Sequence, residues 1–380
     1  MHIGFLTLEY PPLRSGGIGT STRTLARALV RAGHRVSVIG WGQAASFDDE
    51  GVGVRFLGHT PIPAMGWLLH RRRARAALHQ LVTHERLAIV EAHDWGGPSA
   101  GIRLGCPIVV RCNGSARYFG ALLGEPVRWQ VSAAETLALR QAAAVAAVSQ
   151  FAADTTARLF QLRAPVTVIP NGVDLTSFAS SAAPFEPGLI VYVGTIVRKK
   201  GVIDLCRIFS QLVERMPDAR LLIAGRDAAD RLTGSRSTWQ LCQSELTAAA
   251  GARTTYLGEQ TPDAIRIILS RAAVCIFPSY AEALPVVWIE AMACARPIVG
   301  YASGWAGELI DHGTSGLVVE PGDIAGAASA LESILRDPVL TSRMGARARE
   351  RAIGHSDAAA VAQQTVSWYE QVREAHRCSR

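Results

Sequence analysis

Short apolar runs alternate with helix-like stretches along the first half of the chain. The runs HIGFLTL, RVSVIGW, RLAIVEAHD, CPIVVRCNG and AAAVAAVSQ have the length and composition of buried strands. Between the first two lies TRTLARALVRAG, whose apolar residues recur at helical spacing. Strands separated by helices are typical of right-handed parallel βαβ units. The first half therefore predicts an α/β domain with a parallel sheet.

The alternation stops at a turn-rich segment and then starts again. Residues 176–188, TSFASSAAPFEPG, are predicted to be a linker because turn-forming residues dominate them. The runs LIVYVG, ARLLIAG, TTYLG, AVCIFPS and RPIVGY follow, separated by helical patterns. At 380 residues the chain is too long for one ordinary core. We predict two Rossmann-like domains, residues 1–178 and 187–356, facing each other across a cleft, with ligands beyond the carboxyl ends of the strands.

Composition narrows the class of protein. With 49% hydrophobic and 19% charged residues, the sequence is that of a folded protein. Its seven cysteines are scattered without a C-x-x-C pair, which favours a reducing compartment and disfavours a zinc site or a disulfide framework. The N-terminus lacks the features of a signal peptide, and no apolar run has the roughly eighteen residues of a membrane span. We expect a cytoplasmic protein.

The net charge of +7 suits anionic partners. Anionic substrates, an anionic membrane surface and nucleic acid all belong to this class. The sequence has neither zinc-finger spacing nor the aromatic signature of ribonucleoprotein domains, so no nucleic-acid partner is expected.

A glycine-rich loop links the first strand to the first helix. In SGGIGTSTRTLARAL, residues Gly16, Gly17 and Gly19 would let backbone amides approach an anion at the positive end of the helix. The dinucleotide-binding fingerprint is incomplete because Thr22 stands where its third glycine belongs, and the Gly-Lys-Ser/Thr of a P-loop is missing. The loop predicts a phosphate or sugar neighbour, with an ordinary tight turn as the alternative.

Two glutamates flank an apolar stretch in EALPVVWIE, residues 282–290. Burying an ionised carboxylate without a partner costs several kcal/mol. Glu290 therefore needs either a local ion pair, for instance with Arg296, or a ligand that donates hydrogen bonds to it.

The second alternative predicts a particular ligand. Pro285 fits the first position of a helix, and the free amides of Val286 and Val287 would then form a phosphate-binding end. Because a carboxylate repels phosphate, Glu282 and Glu290 are expected to accept hydrogen bonds from hydroxyls. A phosphate flanked by two sets of hydroxyls describes a nucleotide sugar.

A basic cluster follows the strand that ends at Gly194. Arg198, Lys199 and Lys200 precede Gly201, and a loop at the carboxyl end of a strand could neutralise a pyrophosphate. The alternative is a solvated basic loop. The glutamate pair favours the pyrophosphate.

In this order the motifs resemble the large family-four group of retaining glycosyltransferases, which have the GT-B fold. Similar segments cover nearly the whole chain: SGGIG, IPNGVD (169–174), the VG to KG loop (193–201), YLG (256–258), the E-x7-E of 282–290, SGWAGELI (303–310) and HGTSGLVVEPGD (312–323). E-x7-E alone would be weak, since such spacing often arises by chance. The GT-B fold implies an acceptor-binding N-terminal domain and a nucleotide-sugar-binding C-terminal domain. It also implies that the tail, about 357–380, is a helix packing back onto the N-terminal domain.

The resemblance implies roles for the matching residues. Glu290 would bind the ribose hydroxyls of the donor, and Glu282 would contact hydroxyls of the transferred sugar. Lys200 would bind the pyrophosphate. The amides of Gly17, Val286 and Val287 would also bind the donor, with Gly17 reaching it from the other domain. Glu308 would be a further donor-binding residue. It matches the glutamate of the family's G-G-x-x-E motif, whose first two residues are Gly304 and Trp305 here.

The sequence departs from the family at two positions. The usual arginine after VG is Thr195, which leaves Arg198 or Lys199 to take its place. Where the family often has a histidine near the donor sugar, RCNG offers Asn113, which can hydrogen-bond a hydroxyl but cannot carry a proton. His93 in EAHDWGG is a nearby candidate at another strand end, although a lone histidine is more often structural.

The resemblance implies transfer with retention, by a front-face displacement in which the leaving diphosphate helps to deprotonate the acceptor. No Asp-x-Asp signature is present, so no metal and no other cofactor are expected. The acceptor would be a glycan or a lipid-linked acceptor of cell-surface polysaccharide or glycolipid synthesis. The alternatives are a nucleotide-sugar epimerase, a polysaccharide phosphorylase, and a non-catalytic sugar-nucleotide-binding protein, which the changes at Thr195 and Asn113 favour. A nucleotide-sugar epimerase would need acid/base carboxylates in its cleft, and a polysaccharide phosphorylase would need a far longer chain.

The segment GWLLHRRRARAALHQL, residues 66–81, predicts an interaction on the acceptor side. If helical, it would present Arg71, Arg72, Arg73 and Arg75 beside an apolar edge, as in helices that lie on anionic membranes. The alternative is a solvated helix whose arginine stems cover the domain surface.

Overall fold

The computed structural model describes residues 1–13, 16–58, 66–178 and 185–378. The chain divides into two compact units. The first comprises Met1–Asp174 and Ser356–Arg380, and the second comprises Leu175–His355. Of the predicted linker, residues 176–178 belong to a short 3-10 turn, Leu175–Phe178, and residues 179–184 lie outside the described residues.

The first unit is built on an eight-stranded sheet. Its strands are β1 (His2–Thr7), β2 (Arg35–Gly42), β3 (Ala45–Asp49), β4 (Val52–Gly58), β5 (Leu87–His93), β6 (Ile108–Cys112), β7 (Ala144–Ala147) and β8 (Val166–Val168). Their order in space is β3-β4-β2-β1-β5-β6-β7-β8. All neighbours pair in parallel except β3 and β4, which form an antiparallel hairpin at one edge. The apolar runs predict the parallel strands, whereas β3, ASFDD, is too polar to be recognised as a strand.

In the part of this unit that the structure describes, five helices connect these strands. They are α1 (Gly17–Arg31), α2 (Gly66–Glu85), α3 (Ala116–Leu123), α4 (Trp129–Gln141) and α5 (Gln150–Phe160). Helix α1 forms because its apolar residues recur at helical spacing, and it buries Leu25, Ala26 and Leu29 against the sheet. It ends just before Gly33, whose φ of +83° suits a residue without a side chain.

The second unit contains a six-stranded sheet that is parallel throughout. Its strands are β9 (Leu189–Val193), β10 (Arg220–Ala224), β11 (Thr254–Tyr256), β12 (Val274–Phe277), β13 (Ile298–Tyr301) and β14 (Gly316–Val319), in the order β11-β10-β9-β12-β13-β14. Strands β9, β12 and β13 are fully buried, which explains why their sequences are continuous apolar runs. Both predicted parallel sheets are thus confirmed.

The described residues of this unit also form eight helices. They are α6 (Val202–Arg215), α7 (Thr238–Ser244), α8 (Ala248–Ala252), α9 (Pro262–Arg271), α10 (Val286–Ala293), α11 (Ala306–Leu309), α12 (Ile324–Arg336) and α13 (Pro338–Ser356). Strands β9, β12 and β13 lie side by side, so the loops that follow them meet at one edge of the sheet.

The C-terminal helix α14 (Ala358–Cys378) returns to the first unit, as predicted. Its residues Val361, Trp368 and Tyr369 belong to the core around α1 and β1. A buried ion pair fixes the helix to the sheet: Arg111 of β6 donates to Glu91 of β5 at 2.8 and 3.0 Å, and the Tyr369 hydroxyl donates to Glu91 at 2.7 Å.

The described part of the chain contains no helix that is both long and apolar enough to cross a membrane. Six cysteines are buried free thiols, and Cys378 is an exposed one.

Candidate active site

The E-x7-E segment lies where the loop after β12 enters helix α10. Pro285 is the residue before the helix and not its first residue, so the prediction of its position was wrong by one. Val286 and Val287 are the first two helical residues, and no side chain caps this helix end. Since the first N–H groups of a helix have no partner within it, they are available to an anion.

Glu290 lies one turn further along α10 and is half-buried. No hydrogen bond or ion pair joins its carboxylate to any part of the chain that the structure describes, so the alternative of an ion pair with Arg296 is wrong. Arg296 instead lies 6.0 Å from the ring centre of Phe185. Burial raises the pKa of Glu290 to about 7, against a smaller lowering by Arg266. A half-buried carboxylate without a protein partner suits a ligand that donates hydrogen bonds.

Glu282 and Lys200 are brought together although they are far apart in sequence. Their loops follow β12 and β9, which are neighbouring strands. The Lys200 ammonium lies 2.8 Å from a carboxylate oxygen of Glu282. The loops approach so closely that a Cβ on Gly201 would be 1.8 Å from the carbonyl oxygen of Pro278. Glycine is therefore required at 201, where φ is +66°.

The basic cluster is not a freely solvated loop. The guanidinium of Arg198 donates two hydrogen bonds, at 3.0 and 2.9 Å, to the buried carboxylate of Asp230. Arg198 is the main cause that holds the pKa of Asp230 well below its usual range. Lys199 is half-buried, and its carbonyl accepts the N–H of Tyr280 at 2.9 Å. Sequence reasoning missed Asp230, because nothing in the sequence places the loop after β10 beside the loop after β9.

The replacement of a family glycine by Trp305 has a structural reason. Its ring is fully buried and packs edge-on against Trp288 of α10, at 4.6 Å between ring centres. Trp305 therefore supports the helix that carries Glu290. Glu308 follows in α11, half-buried, and its carbonyl accepts a hydrogen bond from Arg351 at 3.1 Å.

In the first unit, the glycine loop surrounds the start of α1. Gly16 precedes the helix and Gly17 is its first residue. The φ of Gly16 is −152°, which any residue adopts, so its conformation does not explain the glycine. A Cβ there would come within 2.4 Å of the Glu9 carboxylate. That carboxylate is the end of a flexible side chain and can move aside, so neither turn geometry nor this contact requires glycine at position 16.

His93 and Asn113 lie at the ends of the neighbouring strands β5 and β6, and both line a small cavity of about 20 Å³. His93 is buried, and its Nε2 accepts the N–H of Leu8 at 3.2 Å. Burial lowers the pKa of His93 to about 4. A neutral imidazole whose Nε2 is already an acceptor is a poor proton carrier, which favours a structural role. The Asn113 side chain donates to the carbonyl of Arg111 at 3.4 Å.

Two buried carboxylates, missed by sequence reasoning, fix the loops around these residues. Asp94 accepts the backbone N–H of Asn113 at 3.0 Å, and burial raises its pKa to about 7. Glu135 accepts the N–H groups of Gly96, Ala116 and Arg117 at 2.9, 2.8 and 3.1 Å. Asp94 directly follows His93 at the strand end, a signal that could have been used, whereas Glu135 lies on α4 without a distinctive motif.

Comparison with known proteins decides the family. The family model described as glycosyl transferases group 1 matches residues 174–351, and the model of glycosyltransferase family 4 matches residues 15–177. The glycogen synthase of Mycobacterium tuberculosis (strain H37Rv) is 30% identical over 399 residues, which cover 97% of this chain and 94% of that protein. The chain belongs to glycosyltransferase family 4. This membership speaks against the epimerase and phosphorylase alternatives.

Other family 4 relatives differ in what they make. The α-maltose-1-phosphate synthase of Mycolicibacterium smegmatis is 29% identical, with 98% of this glycosyltransferase and 100% of that protein covered. The D-inositol 3-phosphate glycosyltransferase of Pseudarthrobacter chlorophenolicus is 27% identical, with 92% and 90% covered. Identity at this level does not transfer a substrate.

Solved structures confirm the GT-B fold of this glycosyltransferase. Sucrose-phosphate synthase from Thermosynechococcus elongatus matches with a TM-score of 0.80 at 22% identity, covering 98% of this chain and 99% of that one. Anabaena HepE in complex with UDP-glucose matches with a TM-score of 0.74 at 20% identity, covering 98% and 100%.

Proposed function

We propose that this glycosyltransferase moves a sugar from a nucleotide-diphosphate sugar to a glycan acceptor with retention of anomeric configuration. The observation that carries the proposal is the edge of the second sheet. There the uncapped start of α10, the Lys200–Glu282 pair and the Glu290 carboxylate, which has no partner among the described residues, all lie on segments that follow the neighbouring strands β9 and β12. These groups match the phosphates and hydroxyls of one ligand.

Each group has a chemical task in the proposal. Glu290 accepts hydrogen bonds from the ribose hydroxyls, and the amides of Val286 and Val287 bind phosphate at the positive end of α10. Lys200 and the same amides stabilise the charge that develops on the leaving diphosphate. In the free enzyme, Glu282 neutralises and orients Lys200. When donor is bound, Glu282 accepts hydrogen bonds from hydroxyls of the transferred sugar.

Retention and independence of metal are part of the proposal. The charge of the diphosphate is met by Lys200 and by helix amides, so the step needs no divalent cation as a counter-charge. Among the residues described, no group of three or more His, Cys, Asp or Glu side chains is placed to hold a metal ion. Transfer that persists in excess EDTA would support this reasoning, and activity regained only with magnesium or manganese would contradict it.

The experiment that tests the function is incubation with labelled nucleotide sugars, with and without acceptors. Glucose is the first sugar to test, because the HepE complex contains UDP-glucose and a relative 30% identical to this chain is named glycogen synthase. The panel should include UDP-, ADP-, GDP- and dTDP-glucose, with maltooligosaccharides as acceptors. Transfer to the acceptor supports the proposal. Donor binding without transfer would favour a non-catalytic binding protein, and isomerised donor would favour an epimerase.

A membrane-linked acceptor is a second candidate, favoured by the surface of α2. Trp67 and Leu68 at its start are exposed, as are Arg72, Arg73 and Arg75. Cations beside exposed apolar side chains suit the surface of an anionic bilayer. Cell-surface polysaccharide or glycolipid synthesis would require such a location at the inner face of the membrane.

The structure corrects the role predicted for Arg71. This side chain is buried and donates to the carbonyls of Gly96 and Gly97 at 3.2 and 2.7 Å, so it is not available to lipid. Sedimentation with anionic vesicles is therefore expected to be lost on replacing only Arg72, Arg73 and Arg75 with glutamine. The control replaces three other exposed arginines, Arg343, Arg347 and Arg377. Equal sedimentation of both triple variants would contradict the membrane proposal.

A further inference from the structure

Three loops meet at the edge of the second sheet that carries Lys200 and Glu282. They follow strands β9, β12 and β13. The middle loop is bonded to both of its neighbours: the N–H of Tyr280 donates to the carbonyl of Lys199 at 2.9 Å, and the Ser303 hydroxyl donates to the carbonyl of Ser279 at 3.1 Å. The middle loop therefore fixes the relative positions of the other two.

Asp204 lies at the centre of a side-chain network beneath these loops. It is buried in the first turn of α6, and one of its carboxylate oxygens accepts hydrogen bonds from the hydroxyls of both Tyr280 and Tyr301. The two rings pack edge-on, 5.3 Å apart between centres. Burial and the bond to Asp204 raise the pKa of Tyr280 to about 12, so its hydroxyl stays a donor.

Tyr280 holds the segment that contains Lys200 at both ends. Its backbone N–H binds residue 199, and its hydroxyl binds residue 204. Glu282, the partner of Lys200, lies two residues further along the same loop as Tyr280. One residue thus ties the loop that carries Glu282 to the segment that carries Lys200. Tyr301 binds the same oxygen of Asp204, but it is fully buried at the end of β13, whereas Tyr280 is 40% exposed.

We propose that Tyr280 is a positioning residue that holds the Lys200 ammonium against Glu282 in the geometry that the diphosphate requires. The expected effect of Tyr280 on catalysis rests on the proposed function. The expected effect of Tyr280 on the position of Lys200 does not. Without the hydroxyl, the segment 199–204 keeps its backbone bond to Tyr280 and loses its side-chain bond. Lys200 then samples a wider range of positions, and a small misplacement of a charged group at a reacting centre costs much of its benefit.

The chain offers an unusual way to measure this. Lys199 and Lys200 are its two lysines, and all its other side-chain cations at neutral pH are arginines. Acetylation by an N-hydroxysuccinimide ester, read by peptide mass spectrometry, therefore reports on these two ammonium groups and the N-terminus alone. A lysine held in an ion pair reacts slowly, because the carboxylate beside it shields its nitrogen from the reagent.

The experiment compares Tyr280→Phe with Tyr301→Phe, which removes the other hydroxyl from the same oxygen of Asp204. In Tyr280→Phe, Lys200 is expected to be acetylated several-fold faster than in wild type. The kcat is expected to fall about ten- to a hundredfold. The affinity for the free nucleoside diphosphate should fall by a smaller factor than kcat, because α10 keeps Glu290 and the amides of Val286 and Val287 in place. In Tyr301→Phe, labelling and kcat should stay near wild type while Tm falls.

Two outcomes would overturn the proposal. Wild-type labelling of Lys200 in Tyr280→Phe would show that the hydroxyl does not position the ammonium. Loss of kcat in both variants, in proportion to their fall in Tm, would show a merely structural network. If the wild-type protein transferred sugar from no donor, the proposed function would fail, and the acetylation rates would still decide the role of Tyr280.

Discussion

Replacing Glu290 with glutamine should weaken donor use while leaving the fold intact or more stable. The side chain has no hydrogen bond or ion pair with the described part of the chain, so its replacement breaks neither kind of contact there. Glutamine has nearly the same shape, which avoids a cavity in α10. The two effects, on stability and on activity, can be estimated separately.

The effect on stability follows from the raised pKa. The pKa of Glu290 is about 7 in the folded protein and 4.5 in its reference state, a difference of about 2.5. At about 1.36 kcal/mol per unit, ionisation above pH 7 costs the fold at most about 3 kcal/mol, and partial exposure reduces this to about 1–2 kcal/mol. Because the folded pKa is the higher one, stability is greatest below about pH 4.5 and falls as the pH rises to about 7. Glu290→Gln should therefore raise Tm near pH 8 and not near pH 4.

The effect on activity has the opposite sign. Hydrogen bonds from ribose hydroxyls to a carboxylate are each worth about 1.5–3 kcal/mol, and a neutral amide replaces them poorly. Donor kcat/KM should fall about 10- to 150-fold. Since the ligand binds the ionised form, wild-type donor affinity should rise with pH up to about 7 and then level off, while the affinity of Glu290→Gln should not depend on pH in this range.

Steady-state kinetics, calorimetric titration with donor from pH 5.5 to 8.5, and thermal melts would measure these effects. Glu320→Gln, at an exposed position of the same unit, controls for the loss of a charge. Wild-type kcat/KM in a folded Glu290→Gln protein would refute the assignment. A fall in Tm near pH 8 would refute the reasoning about burial.

Four further outcomes are expected. Lys200→Gln should lower kcat about 10²- to 10³-fold in steady-state assays, since it removes charge from the leaving diphosphate; unchanged kcat would exclude that role. Bound nucleoside diphosphate should slow the acetylation of Lys200 in wild type, and no protection would place the diphosphate elsewhere. Arg111→Met should lower the free energy of unfolding, measured in urea, by about 3–5 kcal/mol, because it leaves Glu91 buried without its counter-charge. A decrease of less than about 1 kcal/mol would contradict this. An α-linked donor should give an α-linked product by NMR, and a β-linked product would mean inversion.

The parts of the site that could be predicted from sequence are those that lie within one motif. Glu282 and Glu290 lie in one loop and the helix that follows it, so a single stretch of sequence contains both. Lys200 was found because glycines mark the loop after β9. The two Rossmann-like domains followed from apolar runs, which a buried parallel strand must have, and the GT-B fold was implied by the family resemblance.

The parts that could not be predicted depend on which strands become neighbours. Asp230 meets Arg198, and Asp204 meets Tyr280, only because β10, β9, β12 and β13 lie in that order. Apolar runs carry no information about this order. The hairpin β3–β4 was missed for a different reason: an edge strand has one exposed side, and its polar residues hide the strand pattern.

The return of α14 to the first unit has a consequence for the order in which the protein is made. The second unit is continuous in sequence and is complete once residue 355 has been synthesised. The core of the first unit includes Trp368 and Tyr369. This core therefore stays incomplete until these two residues have been synthesised, although most residues of the first unit are made before the second unit. Domains generally fold as units during synthesis. During synthesis, the apolar face of the N-terminal sheet that α14 covers therefore stays exposed while the second unit folds. In a chain that stops before residue 358, that face stays exposed permanently.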